Sequence, residues 1–351
     1  MKQAITAELQ DNGALLASML QDAAAQSELY RPGAYWNRKT KNTADQISRH
    51  GIGDFRGATS TIGLSFTDSV YVDVRHDLNG GVRSVLRTFL TSAFPINRIF
   101  NSQVALTRAH EAEARRLRSI MLRESHRVRE LVERYCFPPS LLGGCLEYVE
   151  LGERRIATHY LNVLHQHDRV ASKCRFSDVS SILEIGGGFG ANIHCLIENY
   201  PKLRKVVYLD IPPNLYIGTQ YLRAIYGAAV IDYGQTRGLS QIEFSDNDNL
   251  EILAIAPWQI ERLAVSIDLF YNAHSFVEMP ADVISNYARH VAALRGFDRT
   301  RVVMLTYNNF DPRTTLDPER LPGCFPGKVF ERMEFPLLDS RFGVFAFVSC
   351  S

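Results

Sequence analysis

The chain has 351 residues, of which 39 are Lys or Arg and 38 Asp or Glu, a formal charge of +1. That length fits roughly two domains, and 46% apolar with 22% charged residues excludes a disordered chain. The balanced charge argues against nucleic acid as an obligatory partner, and no apolar run reaches the roughly 18 residues of a membrane span.

The opening MKQAITAELQDNG carries acids where a signal peptide needs its apolar core, so a cytoplasmic protein is expected. Residues 1–30 start with a short helix. The arm YRPGAYWNRKTKNTADQISRHGIGDFRG is irregular, with one helix from about Thr43 to His50. Leu86–Leu106 shows no pattern. Leu117, Ile120, Met121, Val128, Leu131 and Tyr135 then share one face of a helix from Thr107 to Tyr135. Arg115, Arg116, Arg118, Arg123, Arg127 and Arg129 occupy the rest. With Glu111, Glu113, Glu124, Glu130 and Glu133 interleaved, they read as a solvated face rather than an anion site. Pro138 and Pro139 end this helix, and another is expected from Arg155 to Ala171.

The character changes at Phe176. SSILEI, KVVYLDI, EILAIAPWQI, VSIDLFYN and RVVMLTYN read as strands, and ANIHCLIENY, PPNLYIGTQYLRAIYG and ADVISNYARHVAALRG as helices, the last closed by a glycine cap. Such alternation predicts a mostly parallel sheet with helices on both faces. The closing runs VFERMEFPLL and FGVFAFVSC flank a short turn and must be antiparallel. The fold expected is therefore α/β, a Rossmann-like sheet with an antiparallel last strand over 175–351, preceded by a mainly helical domain over 1–174. The six cysteines, Cys136, Cys145, Cys174, Cys195, Cys324 and Cys350, form no CxxC pair. Reduced thiols are expected rather than a disulfide framework or zinc site.

The turn Glu184-Ile185-Gly186-Gly187-Gly188-Phe189-Gly190 lies between a strand and a helix, where a doubly wound fold binds its ligand. Gly186, Gly188 and Ala191 satisfy the dinucleotide fingerprint G-x-G-x-x-A. Glu184, Gly186, Gly188 and Gly190 satisfy E-x-G-x-G-x-G, the pattern of S-adenosylmethionine (SAM) methyltransferases. Glu184 favours the second: a carboxylate suits a ligand with an ammonium and a sulfonium, and sits poorly beside a pyrophosphate. The reversed last strand favours it too, being absent from the dinucleotide sheet. Asp210, which ends the next strand and suits ribose hydroxyls, fits both readings.

ILEIGGGFGANIHCLIENYP, KVVYLDIPPNLYIGTQYLRAIYG and IDLFYNAHSFVEMP resemble a bacterial family of sugar O-methyltransferases with the class I methyltransferase fold. AYWNRKTKNTADQISRHGIGDFRG and YVELGERRIATHYLNVLHQHD are similar to that family's N-terminal region. The resemblance implies SAM as cofactor, methylation of a sugar hydroxyl, and a role in polysaccharide or natural-product biosynthesis.

Methyl transfer to oxygen needs a hydroxyl aligned with the leaving sulfur and benefits from a base; a divalent metal acidifying the hydroxyl is the alternative. The residues indicate no metal site. His274 is the candidate base, and the alternative for it is a hydrogen-bonded structural histidine. Glu278, four residues on, is the candidate partner for the imidazole if the intervening residues are helical. Glu184, Gly186, Gly187, Gly188, Gly190, Asp210, Ile211 and Asn272 are expected at the cofactor. Trp258 would stack on adenine with Gln259 at the base edge, or else be a core tryptophan. Tyr160, Asn162, His165 and Asp168 would line the acceptor site, or else a solvated helix face. The expected function is a SAM-dependent O-methyltransferase acting on a small-molecule or glycan acceptor. The rivals are a polyketide or aromatic acceptor and a non-catalytic SAM-binding partner subunit. Homo-oligomerisation stays open.

Overall fold

The computed structural model describes residues 8–56, 125–136, 141–145, 148–151, 154–308, 315–335 and 344–350. The expected helix from Thr107 therefore lies outside the described residues as far as Glu124, with Arg115, Arg116, Arg118 and Arg123, and so does Leu86–Leu106.

Near the N-terminus, α1 (Gly13–Ala24) is opened by Asn12, whose side chain accepts from Leu15 N. Helix α2 runs Ala34–His50, well upstream of the expected Thr43 start. Helix α3 (Ser125–Arg134) is the described end of the long amphipathic segment. Strands β1 (Tyr148–Leu151) and β2 (Arg154–Ala157) form an antiparallel ribbon with Val149 opposite Ile156. The helix expected from Arg155 thus begins three residues later, as α4 (Thr158–Ala171). Ile156 and Ala157 point into apolar surroundings as strand residues first.

The second half supplies β3 (Ser181–Ile185), α5 (Ala191–Asn199), β4 (Lys205–Leu209), α6 (Pro212–Tyr226), β5 (Val230–Ile231), β6 (Glu251–Ile255), β7 (Leu269–Ala273), α7 (Ala281–Ala292), β8 (Arg301–Tyr307), β9 (Glu331–Glu334) and β10 (Val344–Ser349). Its sheet order is β5-β6-β4-β3-β7-β8-β10-β9. The strands from β3 to β8 pair in parallel, and β10 runs antiparallel to both β8 and β9. This is the Rossmann-like sheet with a reversed strand, as expected. Its final strand does not lie at the edge: β10 inserts beside β8 and leaves β9, with Glu331, Arg332 and Glu334, as the charged rim. Strands β3 and β6 are buried along their whole length, which is why they read as mainly apolar rather than alternating, with Glu184 a buried exception in β3.

Helix α6 starts with Pro212 and Pro213 in its first turn. Helices α1 and α2 pack over it, so every residue from Pro212 to Leu222 is buried. Apolar residues of both expected halves, such as Met19, Phe55, Tyr160 and Phe270, join one core. Helix α7 stops at Ala292, four residues before the glycine expected to cap it.

The cysteine expectation is corrected for one pair: Cys174 and Cys350 form a disulfide across 176 residues. The end of β10 reaches the loop after α4, a meeting that spacing along the chain does not reveal. Cys350→Ser is expected to cost about 2–4 kcal/mol, read as a lower urea midpoint; an unchanged midpoint would show that the bridge adds nothing. Among the described residues no helix is long and apolar enough to cross a membrane. No group of three or more His, Cys, Asp or Glu among them could hold a metal ion.

Candidate active site

Strand β3 runs into the glycine turn, and α5 starts at its far end. Each glycine there has its own steric reason. A Cβ on Gly186 would come within 2.2 Å of the Ser275 side chain. One on Gly187 would meet Glu184 Oε2 at 2.7 Å and the Tyr208 ring at 2.9 Å. One on Gly190 would strike Leu222. Gly188 differs: its φ is +59°, and a Cβ there would project into open space with nothing within 4 Å. The turn is packed from beneath and open above.

Two buried carboxylates serve this turn. Asp210 Oδ2 accepts from Gly188 N at 2.7 Å and Oδ1 from Ile211 N at 2.7 Å. Burial nevertheless raises its pKa to about 7, against those hydrogen bonds, and the nearby Glu278 charge adds to the rise. Glu184 is fully buried. Its Oε1 accepts from Asn192 Nδ2 at 2.8 Å, while Oε2 has no hydrogen-bond partner. Burial lifts it to about 7 as well. Tyr208 steadies the turn by donating to Gly188 O at 2.5 Å.

At the end of β7 stands His274. Its φ is +68°, the sole positive value at a non-glycine among the described residues, and such strain gathers at functional sites. Its N–H donates to Leu305 O at 2.9 Å. Its Nε2 lies 3.2 Å from Gln166 Oε1, and Nδ1 is buried without a hydrogen-bond partner. Burial, and then the charge of His159, lowers the imidazole pKa to about 4, so it is neutral at pH 7.

Glu278 does not take the position expected for it. The residues after His274 form only a short turn, Phe276–Glu278, so no shared helical face exists. Glu278 accepts instead from Trp36 Nε1 at 2.9 Å and from Tyr307 OH at 2.8 Å. The Tyr307 ring lies beside that of His274, with centroids 5.8 Å apart.

These groups surround a cavity of about 450 Å³ at the C-terminal ends of β3, β4 and β7, where strand order reverses and such folds bind ligands. Of the expected residues, Gly186, Gly187, Gly188, Asp210, Ile211, Asn162, His274 and Glu278 line it. The chain adds Arg31, Gly33 and Trp36 from its N-terminal part, His159, Val163 and Gln166 from α4, Met279 just before α7, and Val283 and Tyr287 on α7.

The other expected residues lie off the cavity wall. On α4 the facing stripe is His159, Asn162, Val163 and Gln166, which leaves Tyr160, His165 and Asp168 turned elsewhere by helical phase. Tyr160 is fully buried and bonds His194 Nδ1 at 3.0 Å and the Tyr221 hydroxyl. His165 is buried in the interior. Asp168 pairs with Arg134 and accepts from Tyr135 OH at 2.8 Å. Trp258 packs edge-on to Tyr233. Gln259 is fully buried, accepting from Ala256 N at 2.8 Å and donating to Thr236 Oγ1 at 3.0 Å. Asn272 ties two loops together beneath the site, donating to Ile185 O at 2.9 Å and Ser275 Oγ at 2.6 Å and accepting from Phe276 N. Glu184 and Gly190 support the turn from below. Trp36, His159 and Gln166 are among the cavity residues that sequence reasoning did not assign to the site. The phase of α4 was the signal for the last two.

No protein-family model matches the chain, and no curated protein matches it in sequence. Among solved structures, mitomycin 7-O-methyltransferase MmcR is similar over 97% of this chain and all of its own, at 13% identity and TM-score 0.38. The methyltransferase domain of a bacterial Hen1 covers 53% of this chain and 98% of its own, at 10% identity and TM-score 0.35. Human N-acetylserotonin methyltransferase, solved with SAM, covers 55% of this chain, at 11% identity and TM-score 0.34. The match spans about half the length of that human enzyme, 54%.

Proposed function

We propose that the protein is a SAM-dependent O-methyltransferase whose acceptor is a hydroxyl of a sugar or glycosylated small molecule. The observation that carries this reading is one cavity with two chemistries on its walls. On one side the open cradle of Gly188 lies beside the Asp210 carboxylate; on the other is His274, which lines the same cavity with a neutral imidazole.

The residues fit the donor. The space above Gly188 accepts a ligand without a Cβ in the way, and Asp210 has lone pairs left for a ribose diol after its two backbone bonds. The unpartnered Glu184 Oε2 adds negative charge beneath the turn, which suits a ligand bearing an ammonium and a sulfonium. When bound, SAM supplies an electrophilic methyl on a positively charged sulfur. The chain's own work is to bind, orient and deprotonate. His274 accepts the acceptor proton. A weak base suffices, because a hydroxyl becomes far more acidic as its oxygen bonds to carbon. The N-terminal residues around Trp36 and the α4 stripe close the site over the acceptor and exclude water, in keeping with an acceptor-covering role for residues 1–174.

His159, Asn162 and Gln166 place neutral hydrogen-bonding groups along one wall, which supports a polyhydroxylated acceptor. A non-sugar natural product is the second reading, favoured by Val163 and Phe189 on the same wall. The strained backbone of His274 speaks against a non-catalytic subunit.

Isothermal titration with SAM, followed by tritiated-methyl transfer to glycan and small-molecule pools, tests the proposal. Binding with transfer to a glycan hydroxyl supports it; binding without transfer to any pool supports the partner subunit. Affinity should also depend on pH in one direction. Asp210 and Glu184 are protonated below about 7 in the free protein, and only their anions favour a cationic, diol-bearing ligand. SAM affinity is therefore expected to fall as pH drops from 8 to 6, with proton release on binding. A Kd independent of pH across that range would contradict these roles.

A further inference from the structure

We infer that Gln166 on α4 is a positioning residue for the reaction, holding the His274 imidazole at the cavity through its uncharged side-chain amide. This role presupposes the proposed base function of His274 and deepens it. It gives the N-terminal half of the chain a part in the proton transfer as well as in covering the acceptor.

Two separate parts of the fold hold His274. The sheet holds its backbone: the N–H donates to Leu305 O of β8 at 2.9 Å, with φ at +68°. Helix α4 holds its ring: Nε2 lies 3.2 Å from Gln166 Oε1. Gln166 reaches the cavity because it stands one turn beyond Asn162 and two beyond His159 on the stripe that lines it. The helix is itself fixed from behind, where Tyr160 OH bonds His194 Nδ1 at 3.0 Å, and just past its end, where Cys174 is bridged to Cys350. The amide is therefore presented from a firm support.

Nδ1 of His274 is enclosed by protein without a hydrogen-bond partner. The ring thus exchanges its proton through Nε2, where Gln166 stands. In the transfer the acceptor O–H bond breaks as its oxygen takes the methyl, an Nε2–H bond forms, and the positive charge that began on sulfur ends on the ring. A primary amide serves both states: its NH2 group donates to a bare Nε2, and its Oε1 accepts from an Nε2–H. A carboxylate in the same place would only accept, and would charge the ring before any acceptor arrived. The titratable groups around the ring are His159 on α4, whose charge opposes protonation, Tyr307 on β8, with ring centroids 5.8 Å apart, and Glu278 in the turn that follows, held by Trp36 Nε1 and Tyr307 OH. Beside them an uncharged partner leaves the ring free to take the acceptor proton.

Changing the charge of this partner while keeping its shape is the test. The His274 Cε1–H signal, identified by its loss in His274→Ala, is titrated by NMR from pH 9 to pH 5 in ligand-free wild type, Gln166→Glu and Gln166→Leu. Turnover is followed over the same range at saturating tritiated-methyl SAM, on the pool that wild type labels. In wild type the ring should not titrate and turnover should stay level. Gln166→Glu is expected to raise the midpoint of the ring by about 1–3 pH units, the effect of an adjacent opposite charge. Its turnover should match wild type at pH 9 and fall as the pH drops through the new midpoint. Gln166→Leu is expected to lower kcat about tenfold at every pH, the scale of one neutral hydrogen bond, with the acceptor KM unchanged and the ring still neutral at pH 5. A midpoint below 5 in Gln166→Glu, a wild-type kcat in Gln166→Leu, or a change confined to KM overturns the inference; the last would make Gln166 an acceptor contact. Should Gln166→Leu fail to fold, the isosteric Gln166→Glu still decides. If wild type labels no pool, or His274→Ala is fully active, the proposed function fails first, and the NMR midpoint still reads separately whether Gln166 holds the ring.

Discussion

Gly188→Val is expected to abolish SAM binding, a loss of more than about 100-fold, while leaving the protein folded. Two effects act together. A β-branched residue at φ +59° is held in the left-handed region, at a cost of about 1–3 kcal/mol. Its isopropyl group would also occupy the open space above the turn, since no protein atom lies within 4 Å of the added Cβ. That openness is why the fold survives. Gly187→Ala is the contrast, because its Cβ would meet Glu184 Oε2 at 2.7 Å and the Tyr208 ring at 2.9 Å. It should destabilise the fold as well as the site. Thermal unfolding alongside titration separates the two variants. Retained SAM affinity in Gly188→Val would remove the donor from this turn.

His274→Ala should lower kcat by about 10²–10⁴-fold, the usual contribution of a general base, with SAM affinity within twofold of wild type. His274→Gly sharpens the test. Glycine adopts φ +68° without strain, so this variant should be equally inactive yet more stable than His274→Ala by roughly 1 kcal/mol. The pH profile adds an independent mark. An imidazole lowered to about 4 stays unprotonated from pH 8 to pH 5. At saturating SAM, turnover should therefore hold nearly level over that range, even as SAM affinity falls through the protonation of Asp210 and Glu184. Full activity in His274→Ala would leave the histidine a purely structural role.

The parts of the site that were readable in advance lie close together in the chain. Glu184 to Gly190 and Asp210 sit at strand ends, and a strand end in a parallel sheet has one side on which to meet a ligand. His274 was readable for the same reason. On α4 the helical phase decides: Tyr160, His165 and Asp168 are turned inward or toward neighbouring helices, while Asn162, as expected, and also His159 and Gln166 meet the cavity. A polar, histidine-rich helix does not announce which stripe faces a cleft until its neighbours are in place.

The amino-acid order alone determined the layered α/β sheet, its reversed final strand and the glycine turn, because each arises from apolar periodicity and backbone sterics within a few neighbouring residues. Only the tertiary structure decided which tryptophan meets the cavity, what Glu278 holds, what faces His274 and which cysteines join. Trp36 and Glu278 are 242 residues apart, His274 and Gln166 108, and Cys174 and Cys350 176. Contacts at such separations depend on how whole helices and strands pack against one another, and that packing leaves no periodic trace in the chain.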